Sequence, residues 1–255
     1  MSIPLRRQAL ERLPYDDSRR PNMGLLLRRG LAQWPDDSLG GKSDKAGNAK
    51  AELIGRISQA DPDPGYAWAY RRWCEATAVD GFEAIELALI GRLYIGLTRD
   101  NPLETGITVG HAWGMPMIPG SALKGISRHI ALEQKLPADA IVHLFGATPE
   151  DESQEAGAVV FHDAWWTPTP NSKPFAAEVV TPHHTVYYNL GIAHATDFDA
   201  PVPAAQIAAQ GRFRFVVEGD VAWCRLAAAL LRVALARHGV GGKTTSGYGL
   251  FEASK

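Results

Sequence analysis

Apolar and polar residues alternate with a period of two in three stretches of the chain, a pattern that is typical of half-buried strands. The stretches are residues 86–97, Gly157–Trp165 and Gly211–Glu218. In the third stretch, Phe213 and Phe215 alternate with arginines. We therefore expect three strands of one sheet, each with one side facing a core.

Two other stretches have the spacing of amphipathic helices. The first follows Ser121, which we predict as its N-cap, and extends to Leu132. The second follows an N-cap at Asp220, contains good helix formers and reaches His238, with a glycine just beyond. Each helix would pack an apolar stripe against the sheet. The stripe of the first helix comprises Leu123, Ile126 and Ile130.

A closing strand is predicted at Tyr248–Phe251. The order is then strand, helix, strand, strand, helix, strand, which predicts an α+β fold with a ferredoxin-like (RRM-like) βαββαβ core. The segment between the second and third strands, at about 166–211, is too long for a hairpin loop and is predicted to be an insertion. We accordingly predict a domain at 83–255 that follows a helical and irregular N-terminal region at 1–82.

The N-terminal region predicts three helices: one over 24–34, one capped by Asn48, and one that opens at Asp63 and the proline after it. In the third, four aromatic residues are interleaved with Arg71 and Arg72. Aromatic residues beside arginines stack on nucleic-acid bases in some proteins and form a core with a charged outer face in others. Both interpretations stand at this point. The aromatic residues are Tyr66, Trp68, Tyr70 and Trp73.

Charge is distributed unevenly along the chain. The whole sequence has 26 Lys and Arg against 28 Asp and Glu, but residues 1–50 have ten against six. The N-terminal segment is therefore a candidate nucleic-acid arm, with a solvated terminus as the alternative. Because the net charge is close to neutral, any site for a polyanion must be local. The arginines of this segment are Arg6, Arg7, Arg12, Arg19, Arg20, Arg28 and Arg29.

The composition also indicates where the protein works and what it does not bind. The 255 residues contain no long uncharged apolar run and no signal peptide, so we expect a soluble, cytoplasmic protein without a membrane partner. The two cysteines, Cys74 and Cys224, lie far apart within helical patterns, which argues against a disulfide framework or a cysteine metal site. We expect no metal and no cofactor.

The segment His238–Phe251 contains five glycines in fourteen residues. Glycine permits positive φ and close approach of another backbone, so clustered amides can form a concave anion site around Lys243. A flexible turn is the alternative. The segment is not a nucleotide-binding P-loop, because the order is helix, loop, strand and because Arg237 stands where that motif has a glycine.

The helix that starts at Ser121 carries Lys124 and Arg128 on its polar face. A helix N-terminus with two cations attracts anions, although a solvated cationic face has the same sequence pattern. In the predicted topology the last strand lies antiparallel beside the first, so the start of this helix and the glycine-rich loop should meet at one edge of the sheet. We therefore expect Lys124, Arg128 and Lys243 to form one phosphate-binding cluster.

Three segments resemble the RAMP superfamily of CRISPR proteins. Pro119–Arg128 resembles the Pro-Gly-Ser-x-Leu-Lys-Gly-x-x-Arg element of its type III members, and Gly242–Gly249 resembles its glycine-rich signature between the last helix and strand. Together with Thr181–His184 before a pair of tyrosines, these segments are most similar to the sixth-subunit family of the Cmr effector complex, type III-B. The resemblance covers residues 84–255.

The resemblance implies a non-catalytic subunit that binds guide RNA within a type III-B CRISPR (Cmr) ribonucleoprotein in antiviral defence. Its partners would be guide RNA (crRNA), target RNA and the other Cmr subunits. The basic side chains would contact RNA phosphates, and the glycines would let the backbone approach. The RNA-binding residues implied by the motifs are Ser121, Lys124, Arg128, Gly241, Gly242, Lys243, Thr244, Gly247 and Tyr248.

The alternative is a metal-independent endoribonuclease of the same superfamily, which would process guide RNA by histidine acid–base chemistry. His183 and His184 are adjacent, so in a strand they would point to opposite faces and would not easily flank one phosphate. The family also usually has an aromatic residue where this chain has His184. His129, His162 and His238 are further candidates, but no acidic partner or spacing selects one of them. A third possibility, an assembly subunit that contacts no RNA, would not need a lysine among glycines.

Overall fold

The computed structural model describes residues 2–4, 22–30, 33–35, 44–97, 105–149, 155–181 and 203–253. These residues form a mixed α+β architecture. The helices are α1 (Met23–Arg29), α2 (Asp44–Gln59), α3 (Pro64–Ala76), α4 (Gly120–Glu133), α5 (Ala138–Phe145) and α6 (Val221–Arg237). The strands are β1 (Ser2–Pro4), β2 (Gln33–Pro35), β3 (Phe82–Ile90), β4 (Met117–Ile118), β5 (Val159–Phe161), β6 (Ala164–Thr167), β7 (Phe175–Val180), β8 (Ala204–Ala209), β9 (Arg212–Gly219) and β10 (Leu250–Phe251).

The central sheet has the strand order β10-β3-β9-β6-β4, with β5 as a second partner of β9. Every neighbouring pair of strands is antiparallel. Leu87, Phe213 and Trp166 lie opposite one another on three of these strands and are buried. The predicted pairing of the last strand with the first is confirmed by the register of Leu250 with Ile90.

The predicted strand boundaries are wrong in three places. The closing strand, β10, begins at Leu250 and not at Tyr248. The first strand, β3, begins earlier than predicted, at Phe82, and ends before Gly91, whose φ of +78° turns the chain. Beyond this turn, Leu93 and Tyr94 form only isolated bridges. The second predicted strand is divided into β5 and β6, because residues 162–163 interrupt the regular ladder.

Both core helices begin close to the predicted positions. The cap of α6 is confirmed, because the Asp220 carboxylate accepts a hydrogen bond from the Ala222 amide at 2.9 Å. The cap predicted for α4 is wrong: this helix begins at Gly120 with Pro119 as its N-cap, so Ser121 lies exposed in its first turn. The predicted apolar stripe of α4 does face the core. Leu123 and Ile130 are buried, and Ile126 packs against the core.

The N-terminal helices agree less well with the sequence pattern. The first, α1, is shorter than the predicted 24–34, and residues 33–35 form β2, which pairs with β1. The second, α2, begins at Asp44, so Asn48 lies inside it and is not its cap. The third, α3, begins as predicted, with Asp63 as its N-cap. None of the helices in the described ranges is long and apolar enough to cross a membrane.

Aromatic side chains attach α3 to the sheet. Tyr66 is only 2% exposed, and its hydroxyl donates to the carbonyl of Trp166. The hydroxyl of Tyr70 donates to the Glu86 carboxylate at 2.7 Å. The core interpretation therefore holds for these two tyrosines, whereas Trp68 on the outer side of the helix is 53% exposed.

The segment between β6 and β9 contains a second sheet of two strands, β7 and β8. Helix α2 packs against this small sheet, and Ala209 at the end of β8 forms a bridge with Leu93. The described part of the segment is thus attached to the central sheet. His183 and His184 lie outside the described residues, as do most of the N-terminal arginines.

Candidate nucleic-acid interface

The glycine-rich loop, residues 239–249, connects α6 to β10 and lies beside the chain that follows β3. The Gly242 amide donates to the carbonyl of Tyr94 at 2.7 Å, and the Gly249 amide donates to the carbonyl of Arg92 at 2.8 Å. A third bond joins the Val240 amide to the carbonyl of Gly249 at 3.0 Å. These backbone hydrogen bonds give the loop a defined conformation at the edge of the sheet.

Three of the five glycines are required by contacts inside the protein. A Cβ at Gly241 would overlap the carbonyl oxygen of Tyr94, and a Cβ at Gly249 would overlap that of Val240. A Cβ at Gly239 would lie 2.7 Å from the carbonyl oxygen of Gly249. All three glycines also have positive φ, between +70° and +93°. Their presence is therefore explained by the folding of the loop onto the sheet.

The outer turn of the loop, Lys243–Gly247, faces solvent. A single 3₁₀ turn, Thr244–Ser246, lies between two left-handed residues, Lys243 at φ +59° and Gly247 at φ +87°. A Cβ on Gly247 would meet no atom within 4 Å. Lys243 is exposed and forms no ion pair with any described residue. The outer turn is thus a cationic projection on a fixed backbone.

Gly242 and Tyr248 join the outer turn to the sheet. The φ of Gly242 is not in the left-handed region. A Cβ there would come closer than ordinary van der Waals contact only to the end of the flexible Leu97 side chain, at 2.8 Å. Tyr248 is half-buried, and its ring packs on that of Tyr94 with centroids 4.6 Å apart. Burial raises the pKa of Tyr94, which is fully enclosed. This pair of rings anchors the outer turn.

The start of α4 differs from the anion site that the sequence predicts. The Gly120 amide donates to the carboxylate of Asp163 at 2.8 Å. A negative side chain therefore already lies at the positive end of the helix dipole, where a phosphate was expected. Asp163 would repel a phosphate at this position. Ser121 is exposed, but it lies beside this acidic group and not in an open anion site.

The two basic residues of α4 have different surroundings. The Arg128 guanidinium donates to the carbonyl of Gly146 at 2.9 Å, directly after α5. Arg128 thereby ties two helices together. Lys124 is half-buried and has no hydrogen bond or ion pair among the described residues.

The expected meeting of the start of α4 with the glycine-rich loop is wrong. The end of α4 contacts the end of α6, where the His238 ring lies 3.0 Å from the Glu133 carboxylate. Ser121 is about 18 Å from Glu133 along the helix axis, at the opposite end of α4. The reason is the path of the chain, which first crosses to the far edge of the sheet through β4 and so enters α4 beside Phe161.

Three histidines that the sequence left without partners have acidic neighbours in the structure. His129 and His238 both lie close to Glu133, at 3.1 and 3.0 Å, and His162 lies 2.8 Å from Glu218. The hydrogen bond from His238 lowers the pKa of the Glu133 carboxyl. The four-residue spacing of His129 and Glu133 on a helix was the only local signal for this cluster, because His238 is remote in sequence.

Comparison with known proteins identifies the chain's relatives. The model of the RAMP superfamily matches residues 86–252. The CRISPR system Cmr subunit Cmr6 of Pyrococcus furiosus is 25% identical over 226 residues, covering 62% of this chain and 64% of the relative. The corresponding Cmr6 subunit of Saccharolobus solfataricus is 32% identical over 158 residues, covering 60% and 50%. The chain thus spans between half and two thirds of the length of these curated relatives.

A solved structure shares the fold. A chain of the type III-B Cmr-β complex bound to cognate target RNA, determined by cryo-EM, superposes with a TM-score of 0.67 at 23% sequence identity. The match covers 83% of this chain and 73% of that chain. At this identity the comparison concerns the fold alone.

Proposed function

Since this chain belongs to the RAMP superfamily and is Cmr6-like, we propose that it is a non-catalytic, guide-RNA-binding subunit of a type III-B CRISPR (Cmr) effector complex in antiviral defence. Its partners are guide RNA, target RNA and other Cmr subunits; the names of its relatives describe a subunit of a Cmr system. The observation that carries the proposal is the outer turn Lys243–Gly247, an exposed lysine on a backbone held by internal hydrogen bonds.

We also infer the topology of the central sheet. The sheet is a ferredoxin-like βαββαβ core in which β3, the β5–β6 pair, β9 and β10 are the first to fourth strands. Their spatial order, fourth, first, third, second, supports this assignment. The core domain comprises residues 83–255, and residues 1–82 are an N-terminal extension whose described helices contribute residues to the hydrophobic core.

The outer turn binds the RNA backbone rather than the bases. Lys243 contacts a phosphate, with the Thr244 hydroxyl and the half-buried Tyr248 beside it. Gly247 and Gly242 leave the backbone open to close approach, since neither has a rigid neighbour where a side chain would stand. Phosphate contacts carry no sequence information, so the subunit binds single-stranded RNA without base preference and less tightly as salt rises.

The basic face of α4 forms a separate and weaker contact. Lys124 has no described partner and reaches solvent near Ser121, at the end of α4 remote from the loop. Arg128 holds the end of α5 through the Gly146 carbonyl. Because the two regions lie at opposite ends of one helix, loss of Lys124 and loss of Lys243 should weaken RNA binding additively.

Exchange of Lys243 tests this function with a matched control in the same chain. Lys135 is also an exposed lysine with left-handed backbone, at φ +55° against +59° for Lys243. In the assembled complex, Lys243→Gln should weaken RNA binding modestly and reduce the slope of log affinity against log salt by about one unit. Lys135→Gln should change neither quantity.

The experiment measures the RNA affinity of both variants at two salt concentrations. The melting temperature of each variant is a check on its folding. If Lys243→Gln and Lys135→Gln bind RNA alike, the glycine-rich loop is only a turn and the proposed contact is wrong.

A second test concerns catalysis. The sequence offers five histidines as acid–base candidates: His129, His162, His183, His184 and His238. Of these, His162 faces Glu218. Because another subunit would perform the chemistry, the combined change of all five to Gln should leave cleavage of target RNA by the assembled complex unchanged. Loss of cleavage with assembly and RNA binding intact would favour the endoribonuclease instead.

A further inference from the structure

Three potential metal ligands from two helices meet at the surface where α4 and α6 end. His129 Nε2 lies 3.1 Å from one Glu133 oxygen, and His238 Nε2 lies 3.0 Å from the other. The ligand atoms of all three residues lie within 4.8 Å of one another. The side chains are 61%, 39% and 40% exposed in the order His129, Glu133, His238, so an ion in solution can reach them.

The spacing of these atoms matches the demands of a small dication. Zinc binds imidazole nitrogen and carboxylate oxygen at about 2.0–2.2 Å, so neighbouring ligands in a tetrahedral site are about 3.3 Å apart. The two nitrogen-to-oxygen separations of 3.0 and 3.1 Å are close to this value. Two imidazoles and one carboxylate are also the ligand set of open zinc sites, in which the fourth position takes water.

The backbone that carries the cluster is rigid. His129 and Glu133 are one helical turn apart, so they project from the same face of α4. The amide of His238 donates to the Ala234 carbonyl at 2.9 Å and thus ends α6 in a fixed position. The two helices are in contact, and each has a fully buried residue next to or near the cluster in sequence, Ile130 on α4 and Ala234 on α6. Ligands on rigid elements need little rearrangement to bind an ion.

We propose that His129, Glu133 and His238 form a binding site for one zinc-type transition-metal dication. The bound ion joins the last turn of α4 to the C-cap of α6, immediately before the glycine-rich loop begins at Gly239. Without the ion, Glu133 bridges the two imidazoles by hydrogen bonds. With it, each imidazole presents its Nε2 lone pair to the metal and carries its proton on Nδ1.

Zinc titration of the untagged full-length chain tests the site, because an affinity tag of histidines would obscure it. The native chain should bind one Zn²⁺ in this site by calorimetry, and its melting temperature should rise with Zn²⁺ concentration. His129→Ala, His238→Ala and Glu133→Gln should each weaken this binding by more than about tenfold. Because all three side chains are exposed, the variants should keep the native circular dichroism spectrum.

His111→Ala provides the control, since His111 is an exposed histidine away from the cluster. This variant should bind Zn²⁺ as the native chain does. Co²⁺ in place of Zn²⁺ gives a second measurement, because its visible spectrum reports a tetrahedral site of nitrogen and oxygen ligands. This spectrum should be absent from the triple variant, which combines His129→Ala, Glu133→Gln and His238→Ala. Zn²⁺ binding that survives the triple change, or that His111→Ala abolishes, would overturn the proposal.

Discussion

Gly241 and Gly247 have almost the same φ, +93° and +87°, but opposite surroundings. A Cβ on Gly241 would collide with the backbone of Tyr94, whereas a Cβ on Gly247 would meet open space. Glycine offers two properties, access to positive φ and the absence of a side chain, and these two positions need them differently. At Gly247 only conformational freedom is needed, and at Gly241 the missing side chain is needed as well.

This difference predicts unequal effects of the same substitution. Gly247→Ala should lower the free energy of unfolding by about 1–2 kcal/mol, the cost of left-handed backbone with a side chain. Gly241→Ala carries the same cost and also forces the loop away from Tyr94, so its effect should exceed about 3 kcal/mol. Urea unfolding of both variants measures the difference. Equal losses would mean that the loop moves freely from the sheet edge.

Local signals allowed several elements to be predicted, and distant contacts explain the failures. Asp63 and Asp220 cap their helices through the adjacent backbone, so sequence alone identifies both helix starts. The same logic failed at Ser121, because the first amide of α4 is bound by Asp163, which is 43 residues away in sequence. The direction of α4 also depends on β4, a strand of only two residues that no periodicity reveals.

The role of Asp163 in capping α4 can be tested at the level of that helix. Asp163→Ala removes both a hydrogen bond and a negative charge from the helix N-terminus, so it should reduce the free energy of unfolding by about 1 kcal/mol. Asp163→Asn keeps an oxygen acceptor and should have a smaller effect. Asp220→Ala, at the start of α6, is the reference for a cap within its own helix.

Urea unfolding at neutral pH compares the three variants. A stability of Asp163→Ala equal to that of the native chain would show that the bond to Gly120 does not hold the helix, and would reopen the start of α4 as an anion site.

One hydrophobic core extends through both predicted regions of the chain. It includes Leu27, Ile54 and Ile57 from the N-terminal helices together with Phe213 and Phe215 of the central sheet. The described N-terminal helices are therefore part of the folded unit and do not form a separate arm. The sequence did not reveal this, because apolar stripes on short helices do not specify the surface that they cover.

Tyrosines buried in this structure link the stability of the whole molecule to alkaline pH. Burial raises the pKa values of Tyr66, Tyr70 and Tyr94, because the phenolate form loses its hydration. In the unfolded chain a tyrosine ionises near pH ~10. The stability contributed by these groups is therefore fully present below about pH 10 and is lost as the pH rises, by about 1.4 kcal/mol per pH unit for each tyrosine.

The variant Tyr66→Phe isolates the contribution of one of these tyrosines to the pH dependence of stability. At neutral pH this variant should be less stable by about 1–3 kcal/mol, because the carbonyl of Trp166 loses its hydrogen-bond donor. Above about pH 10, however, its free energy of unfolding should fall less steeply than that of the native chain, since one fewer proton is released on unfolding. Urea unfolding at several pH values up to about 11, with tyrosinate absorbance of the folded protein as a second measurement, checks both statements. Parallel pH profiles for the two proteins would show that Tyr66 ionises as readily in the folded chain as in the unfolded one, and that α3 does not exclude water from the face of the sheet that it covers.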